Sequence, residues 1–358
     1  MKKFFSILLT AVLLPVFVLF PGAGTAESKR FTAHFFNTFD TVVSLIGYAP
    51  DQDTYDRAFQ AMKERFTYLH RLFDKYNAYE GVNNLYTVNR DAAKAPVKVA
   101  PELMEVLVFC RDMQKKFPCA TNIALGSVLN IWHDHRDAAE YNPAGATVPE
   151  LSQLQAAAAH TDMDKVVLDE ANSTVFFLDP ELSLDIGAVA KGYAAESAAK
   201  LLLSSPMTSF IINAGGNVRA GNKPLDGRSA WGVAIQDPFS SAFSDAPPVE
   251  TLFLRDMSVV TSGINERYYE VEGVRYHHLI DPDTLFPARF MASVTIVTEN
   301  SEMADFLSTT LFLMPYEEGR ALVESLPGVE ALWILLDGTI QMTEGLGAIA
   351  LSKGATAQ

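Results

Sequence analysis

Basic residues are scarce in this sequence of 358 residues. Lysine and arginine together number 28 against 43 aspartates and glutamates, which gives a formal net charge of −15 at pH 7. Binding to nucleic acid, and membrane attachment through basic patches, both depend on positive charge, so this balance argues against both. Hydrophobic residues make up 49% of the chain, which indicates a globular protein whose acidic surface serves solubility.

Cysteine is scarcer still, since only Cys110 and Cys119 occur. Their spacing matches no metal-binding motif. In an exported protein the two could form a disulfide, and a pair of thiols is an equal alternative. The sequence leaves this pairing open.

Several short catalytic motifs are also absent. The chain contains no HExxH, CxxC, Walker loop or GxSxG. The stretch GLGAIA at 345–350 has the look of a dinucleotide fingerprint, but too little chain follows it to form the βαβ unit that such a site requires. None of the chemistries that these motifs carry is therefore indicated.

Long apolar runs are rare, and the one that stands out lies at the N-terminus. Lys2 and Lys3 precede an apolar run over 4–20, and the small residues Gly24 and Ala26 follow it. This order is typical of a secretory signal peptide, so we predict a signal peptide at 1–26 and an exported domain at 27–358. The alternative is an uncleaved anchor that leaves the protein membrane-associated, but Pro15 interrupts the run and it is shorter than a span of about 20 residues.

Helical and strand patterns are interleaved along the rest of the chain without strict alternation, which predicts an α+β fold with a mixed sheet and a helical segment in the N-terminal half. The predicted helices cover 53–73, a stretch opened by Pro101, an interrupted region at 123–162, 188–203, 302–313 and 316–325. The predicted strands cover 31–48 (a strand or hairpin), 164–169, 173–178, 182–186, 208–213, 231–236, 250–254, 268–272, 292–298, 330–336 and 339–343.

One stretch, SLDIGAVAKGYAAESAAK from Ser183, places Asp185 before a helix of small residues. Such a helix lets a second backbone or a ligand come close. Its N-terminal amides favour an anion. A carboxylate beside an anion site is reasonable if a cation lies between them.

A second stretch, NSEMADFLSTTLFLM, supplies a candidate for that cation site. Asp305 and Thr309 are four residues apart and share one face of a predicted buried helix. A buried aspartate needs a partner. A hydrogen bond or salt bridge to a neighbouring segment is the simpler interpretation, and Mg²⁺, which binds carboxylate, carbonyl, water and phosphate oxygens, is the alternative.

Three polar clusters complete the candidates. Gly215-Gly216 and the predicted turn at 261–263 could bring backbone amides against a phosphate or a flavin, although each taken singly is more simply explained as an ordinary turn. YHHLIDPDTLFP places His277, His278 and Asp281 close together in sequence. A histidine beside an aspartate suits proton transfer, although such a pair can equally brace a loop.

Five stretches together are similar to the motifs of the ApbE family, in that family's order: LDIGAVAKGYAAE (184–196), INAGGNVRAG (212–221), TSG (261–263), HLIDP (278–282) and ADFLSTTLF (304–312). A weaker likeness extends through TFDTVVSL (38–45), DKYN (74–77) and GSVLNIW (126–132). The family consists of FAD:protein FMN transferases, or flavin transferases. The resemblance implies an exported Mg²⁺-dependent enzyme that splits FAD, esterifies FMN through its phosphate onto a threonine of an acceptor redox subunit, and releases AMP.

The resemblance also implies roles for individual residues. Asp305, Thr309 and the carbonyl of Ala188 would bind Mg²⁺, and His278 would take the proton of the acceptor threonine. The FAD contacts would be Phe39, Tyr76, Trp132, His133, Asp134, Asp185, Lys191 and Ile280, with Tyr76 stacking on a ring and Trp132, His133 and Asp134 on the adenine side.

The chain departs from the family pattern at three places. Phe39-Asp40-Thr41 stands where Met-Gly-Thr is common, His133-Asp134 where Gly-Phe is common, and Ser308 where some members have another aspartate.

Two other functions remain compatible with the sequence. One is an exported flavin- or solute-binding protein without turnover, and the other is an FAD pyrophosphatase that uses water as the nucleophile.

Overall fold

The structure, a computed structural model, describes residues 28–117, 121–240 and 246–358. Within these ranges the chain forms nine α-helices. They are α1 (Gln52–Phe73), α2 (Leu85–Asp91), α3 (Pro101–Lys116), α4 (Gly126–Tyr141), α5 (Leu151–Ala158), α6 (Ala190–Leu203), α7 (Ser301–Phe312), α8 (Tyr316–Glu324) and α9 (Glu344–Gly347).

The same ranges contain fifteen strands. They are β1 (Lys29–Thr38), β2 (Thr41–Ala49), β3 (Val97–Lys98), β4 (Val166–Asp169), β5 (Thr174–Phe177), β6 (Phe210–Ala214), β7 (Asn217–Ala220), β8 (Trp231–Ile235), β9 (Glu250–Leu254), β10 (Ser258–Gly263), β11 (Tyr268–Val271), β12 (Val274–His277), β13 (Ser293–Thr298), β14 (Glu330–Ile334) and β15 (Ile340–Met342).

An eight-stranded sheet in the order β1-β2-β6-β7-β10-β13-β14-β15 organises the fold, and its pairings are antiparallel. Both of its faces are covered. In β13, Val294 and Ile296 face a core that includes α1, α6 and α7, whereas Val297 faces a second core that includes β8 and β9. Because side chains alternate along a strand, this double burial explains why every residue of β13 is buried.

The predicted α+β class, with its helical N-terminal half, is confirmed. The opening segment forms the hairpin β1–β2, as one of the two alternatives predicted. The helix that carries Asp305 begins where expected, because the side chain of Asn300 accepts a 2.9 Å hydrogen bond from Met303 N and caps α7.

The strand predicted at 182–186 is wrong, and this segment runs as a loop. Leu182, Leu184 and Ile186 are buried, which produced the alternating pattern. The backbone of Leu184, however, exchanges its hydrogen bonds with the side chain of Asn89, at 2.8 and 2.9 Å, and Asp185 N donates to Ile123 O. These partners lie outside any strand, and the one β-bridge of the segment is an isolated parallel bridge between Ser183 and Leu125. The alternation here therefore reflects burial and not a strand.

The turn predicted at 261–263 is also wrong, because these residues end strand β10. Thr261 lies opposite Thr295 of β13, and the two hydroxyls are 2.8 Å apart. Gly215-Gly216, by contrast, does form the turn between β6 and β7, with φ values of +57° and +85° that favour glycine.

Two predictions fall on residues outside the described ranges. The signal peptide at 1–26 is one, and the pairing of Cys119 with Cys110 is the other. Cys110 itself is buried in α3. Over the described ranges, no helix combines the length and the apolar character needed to cross a membrane.

The first turn of α7 carries a carboxyl group that should oppose folding at high pH. Burial, together with Glu105 and Glu196, raises the pKa of Glu302 to about 7, although Lys200 acts in the opposite direction. Its Oε1 atom is buried without a hydrogen-bond partner within the described chain. Because the folded-state pKa lies above the unfolded one, the stability present at low pH is lost as pH rises through this value.

We therefore expect Glu302→Gln to raise the free energy of unfolding above pH 7 by about 1–3 kcal/mol and to change it little near pH 4. Urea unfolding at both pH values measures the difference. Glu317→Gln, which removes an exposed carboxylate from the first turn of α8, is the matched control and should shift stability by less than about 0.5 kcal/mol. An equal effect of Glu302→Gln at both pH values would contradict the explanation.

Candidate active site

A single cavity, here called the catalytic cavity, brings together residues from distant parts of the chain. Its walls come from α4, α6, α7 and the segments that follow α1 and β12. Ten of the twelve predicted site residues line it: Tyr76, Trp132, His133, Asp185, Ala188, Lys191, His278, Ile280, Asp305 and Thr309.

The other two predicted residues, Phe39 and Asp134, lie elsewhere. Phe39 lines a neighbouring cavity that shares Asp185 and Lys191 with the catalytic cavity, so a contact with one end of a long ligand remains a prediction. Its ring packs against Phe66, His70 and Phe73. Asp134 is exposed and lines neither cavity, so its placement does not support a cofactor contact.

Asp305 of α7 connects two helices of the site, because its side chain caps the N-terminus of α6. The N-cap residue of α6, Val189, provides no side-chain hydrogen bond. Instead, Gly192 N in the first turn of α6 donates a 2.8 Å hydrogen bond to Oδ2 of Asp305. Burial raises the pKa of Asp305, while Lys191 and the amide of Gly192 oppose this rise. The structural interpretation of Asp305 therefore holds, because its carboxylate caps α6. The metal-binding interpretation is compatible with this role, because the second carboxylate oxygen is not used by the cap.

The capping is reciprocal. Glu196 of α6 accepts a 3.1 Å hydrogen bond from Ser301 N, the first amide of α7. The same oxygen of Glu196 accepts a 3.0 Å hydrogen bond from Nε of Arg219 on β7, and both side chains are buried. Each helix therefore supplies the carboxylate that caps the other. Arg219 of the sheet holds one of these carboxylates, that of Glu196, in place.

The small residues of α6 make this arrangement possible. A Cβ on Gly192 would overlap the carbonyl oxygen of Ser301 and would lie 2.6 Å from Cβ of Asp305. The predicted close approach of a second backbone is therefore real, and that backbone is α7. The part of the segment that lines the cavity comprises Gly187 and Ala188, just before the helix, and Lys191 in its first turn.

The oxygen atoms around Asp305 suit a hard cation. Thr309 lies one turn further along α7, and its hydroxyl makes no hydrogen bond to any described residue, whereas neighbouring Ser308 bonds to Ser262 at 2.9 Å. Across residues 28–117, 121–240 and 246–358, no group of three His, Cys, Asp or Glu side chains could hold a metal. A set of one carboxylate, one hydroxyl and one carbonyl fits Mg²⁺, which completes its coordination with water and phosphate oxygens.

Asp185 has a partner that the sequence did not reveal. Its Oδ2 lies 2.7 Å from Nζ of Lys75, and its Oδ1 accepts a 2.8 Å hydrogen bond from Gly187 N. Although burial opposes it, Lys75 holds the pKa of Asp185 below its usual range. Asp185 is therefore ionised, and it shapes the loop in which Ala188 lines the cavity.

The imidazole of His278 has a free lone pair on Nε2 that can accept a proton. Its Nδ1 lies 3.2 Å from the carbonyl oxygen of Glu266, an acceptor, so Nδ1 carries the hydrogen and Nε2 keeps its lone pair. Burial, reinforced by Arg267 and Lys191, lowers the pKa of His278 well below its ordinary value. His278 is therefore neutral at physiological pH.

Asp281 does not orient this histidine. Its carboxylate accepts hydrogen bonds from Asp283 N and the hydroxyl of Thr284, both at 3.0 Å, so it braces the loop. His277 is also structural, because its Nε2 bonds the carbonyl of Ala288 and burial lowers its pKa to about 4.

Aromatic residues form one side of the cavity. The ring of Tyr76 lies 4.4 Å from that of His133, and Nζ of Lys75 lies 4.9 Å from its centroid. Tyr76 is 47% exposed, and its stacking on a ligand ring stays a prediction. Trp132 is more deeply placed: it stacks on Tyr276 and donates from Nε1 to the carbonyl of Leu285. Ile280 is buried beside it.

Comparison with known proteins assigns the family. The ApbE family model matches residues 39–333. The chain belongs to the ApbE family. A FAD:protein FMN transferase of Treponema pallidum is 36% identical over 299 residues, covering 80% of each chain. One from Klebsiella pneumoniae is 28% identical, covering 80% of this chain and 84% of the relative.

Solved structures agree with this assignment. The ApbE protein from Thermotoga maritima superposes with a TM-score of 0.77 at 26% identity, covering 90% of this chain and 99% of that one. Flavin transferase ApbE from Vibrio cholerae shares the fold, with a TM-score of 0.71 at 22% identity over 88% of this chain and 97% of its own. The membership predicted from the five motifs is confirmed, and the chain is a member of a family of FAD:protein FMN transferases.

Sequence reasoning missed several charged residues of this ApbE-family site. Glu266, Arg267 and Arg136 line the catalytic cavity, and Lys75 lines the neighbouring cavity that Phe39 also lines. Arg267 follows the TSG stretch by four residues, and Lys75 stands inside DKYN, but nothing in the local sequence signals their partners. Arg267 donates from Nη2 to the carbonyl of Phe39 at 3.0 Å, which ties the β1–β2 turn to the cavity.

The contact between α6 and α7 makes a direct prediction. Gly192→Ala should force the two helices apart and lower the free energy of unfolding by about 1–3 kcal/mol, the usual cost of overpacking. Gly347→Ala in α9 is the control, because its nearest neighbour would be 3.7 Å away, and it should be neutral or slightly stabilising. Urea unfolding compares the two. If Gly192→Ala is as stable as wild type, the contact between α6 and α7 does have room for a Cβ at this position.

Proposed function

We propose that this chain catalyses the Mg²⁺-dependent transfer of FMN from FAD to a threonine hydroxyl of an acceptor protein, forming a phosphoester and releasing AMP. The observation that carries the proposal is that one cavity combines three groups: an oxygen donor set, cationic side chains and a neutral imidazole. The name of the relatives, FAD:protein FMN transferase, supplies the two reactants.

The bond changes follow from these reactants. The threonine Oγ attacks the phosphorus of the FMN half of FAD, and the bond from that phosphorus to the bridging oxygen breaks. AMP departs with the bridging oxygen and its electron pair. The proton of the threonine hydroxyl passes to Nε2 of His278, whose lone pair is free because Nδ1 is held by Glu266.

Asp305, Thr309 and the carbonyl of Ala188 are the residues that would hold the metal ion. When bound there, Mg²⁺ would supply charge that offsets the negative charge developing on the phosphoryl oxygens. Lys191 and Arg267 add positive charge along the same wall. Lys191 forms no ion pair with a described residue, which leaves its ammonium group available for a phosphate.

We further propose that the domain at 27–358 works outside the cytoplasm, in the periplasm or an equivalent compartment. The support is the basic, apolar and small-residue order of the first 26 residues. An exported enzyme needs an acceptor in the same compartment. The acceptor is therefore proposed to be an exported or membrane-anchored redox subunit with an accessible threonine.

Incubation of the purified protein with FAD, Mg²⁺ and a candidate redox subunit tests the proposal. We expect flavin fluorescence to follow the acceptor through a denaturing gel and to disappear when its threonine is replaced by alanine. AMP release without a labelled acceptor would indicate a pyrophosphatase instead. Bound FAD with neither product would indicate a binding protein.

For His278→Asn we expect FAD binding to be retained and single-turnover transfer to be slower by about two to four orders of magnitude, the usual range for a lost general base. Because the pKa of His278 lies well below its ordinary value, wild-type transfer should hold through pH 6.5 and fall only at lower pH. Near-normal turnover of the variant would remove His278 from the mechanism.

Replacement of Asp305 separates capping from metal binding. Asp305→Asn keeps an oxygen for the Gly192 amide but removes the charge, so it should fold with near wild-type stability. Asp305→Ala loses the cap as well and should cost about 0.5–2 kcal/mol. Both variants should lose the rise in melting temperature that Mg²⁺ causes in the presence of FAD. A wild-type response to Mg²⁺ in Asp305→Asn would show that this carboxylate binds no metal.

A further inference from the structure

Strand β8 has one edge without a backbone partner among the described residues. It pairs with β9 on one side only, and the outer side of β9 is covered, because Phe253 N donates to Ile349 O at 2.8 Å. No backbone hydrogen bond links the outer side of β8 to any described segment. An edge of this kind is a template for another extended chain.

The strand register shows which groups point outward. Phe253 directs its amide away from β8, and its partner in the register is Gly232. In an antiparallel pair, opposite residues that do not bond to each other both point their N–H and C=O groups outward, and this alternates along the strand. The N–H and C=O groups of Gly232 and Ala234 therefore face away from β9.

A groove, here called the edge groove, follows this open side. Residues 233–236 form one wall, and the β6–β7 turn at Gly215 and Gly216 forms the other. Val218, Val259 and Ser293 of the eight-stranded sheet also line the groove, and of the two outward-facing residues of β8 Ala234 lines it.

The edge groove adjoins the catalytic cavity at the end of β10. Thr261 and Glu266 line both. Oε1 of Glu266 would lie 3.4 Å from a Cβ on Gly216, so this side chain reaches the groove wall. The carbonyl of the same residue holds Nδ1 of His278. The groove therefore ends beside the group that orients the proposed base.

We propose that the acceptor protein binds as an extended segment in the edge groove, pairs with the outward N–H and C=O groups of β8, and passes its threonine over Glu266 to His278. This rests on the proposed function, because it takes the second substrate to be a polypeptide. The occupant is an extended chain because the open edge offers donors and acceptors at two-residue intervals, which only a strand can match.

Hydrogen exchange of the wild-type protein tests the docking without any substitution. The probe is a redox subunit that the enzyme labels, with its target threonine replaced by alanine so that the complex cannot react. The amides of Gly232 and Ala234 should exchange at least about tenfold more slowly in the complex. If the subunit binds and these amides show no slowing, the proposal is overturned.

Ala234→Pro removes an outward N–H and leaves the β8–β9 hydrogen bonds in place, as proline on an edge strand allows. We expect the KM for the acceptor to rise about tenfold or more, while AMP release from FAD without acceptor stays within about twofold of wild type. An unchanged KM in a folded variant would overturn the docking proposal and leave the proposed function intact.

Thr32→Pro provides the matched control on a remote edge. Tyr48 N bonds to Ser209 O, so its register partner on β1, Arg30, points its amide outward, and Thr32 does the same two residues later. This exposed position lines no described cavity, and the variant should label the acceptor normally.

Two further outcomes separate the docking proposal from the proposed function. If the wild-type protein neither releases AMP nor labels the acceptor, the proposed function is refuted. If Ala234→Pro does not fold, the hydrogen-exchange experiment tests the docking proposal instead.

Discussion

The exchange of caps between α6 and α7 is the interaction on which the site depends. Glu196 satisfies the first amide of α7, and Asp305 satisfies an amide in the first turn of α6. The first four amides of a helix have no partner within it, so each carboxylate stabilises a group that burial would otherwise leave costly. Gly192 allows the approach and Arg219 anchors it to the sheet. This contact fixes the position of Asp305 relative to the loop at Ala188.

The rest of the cavity is built around that contact by residues from other elements. The Lys75–Asp185 ion pair joins the end of α1 to the loop before α6. The carbonyl of Glu266, in the segment between β10 and β11, sets the tautomer of His278. Since each of these groups comes from a different part of the chain, the arrangement exists only in the folded protein, and the proposed transfer depends on their being placed together.

The sequence predicted the elements with strong periodicity and the residues within motifs. Helix α7, its Asn300 cap and the small-residue α6 were predictable because capping and residue size are local properties. The loop at 182–186 was not, because Asn89 takes the backbone hydrogen bonds that a neighbouring strand would supply. Lys75 and Glu266 were missed for the same reason: their roles depend on partners about a hundred residues and twelve residues away, respectively, which no local pattern encodes.

The position of a bound divalent ion tests this account most directly. Crystals grown with FAD and Mn²⁺ in place of Mg²⁺ would reveal the ion by its anomalous scattering. The account predicts one strong peak within about 2.5 Å of the Asp305 carboxylate, the Thr309 hydroxyl and the Ala188 carbonyl, next to the pyrophosphate of FAD. An ordered ion bound elsewhere, for example between Asp74 and Asp185, with Asp305 still bonded only to Gly192, would contradict it.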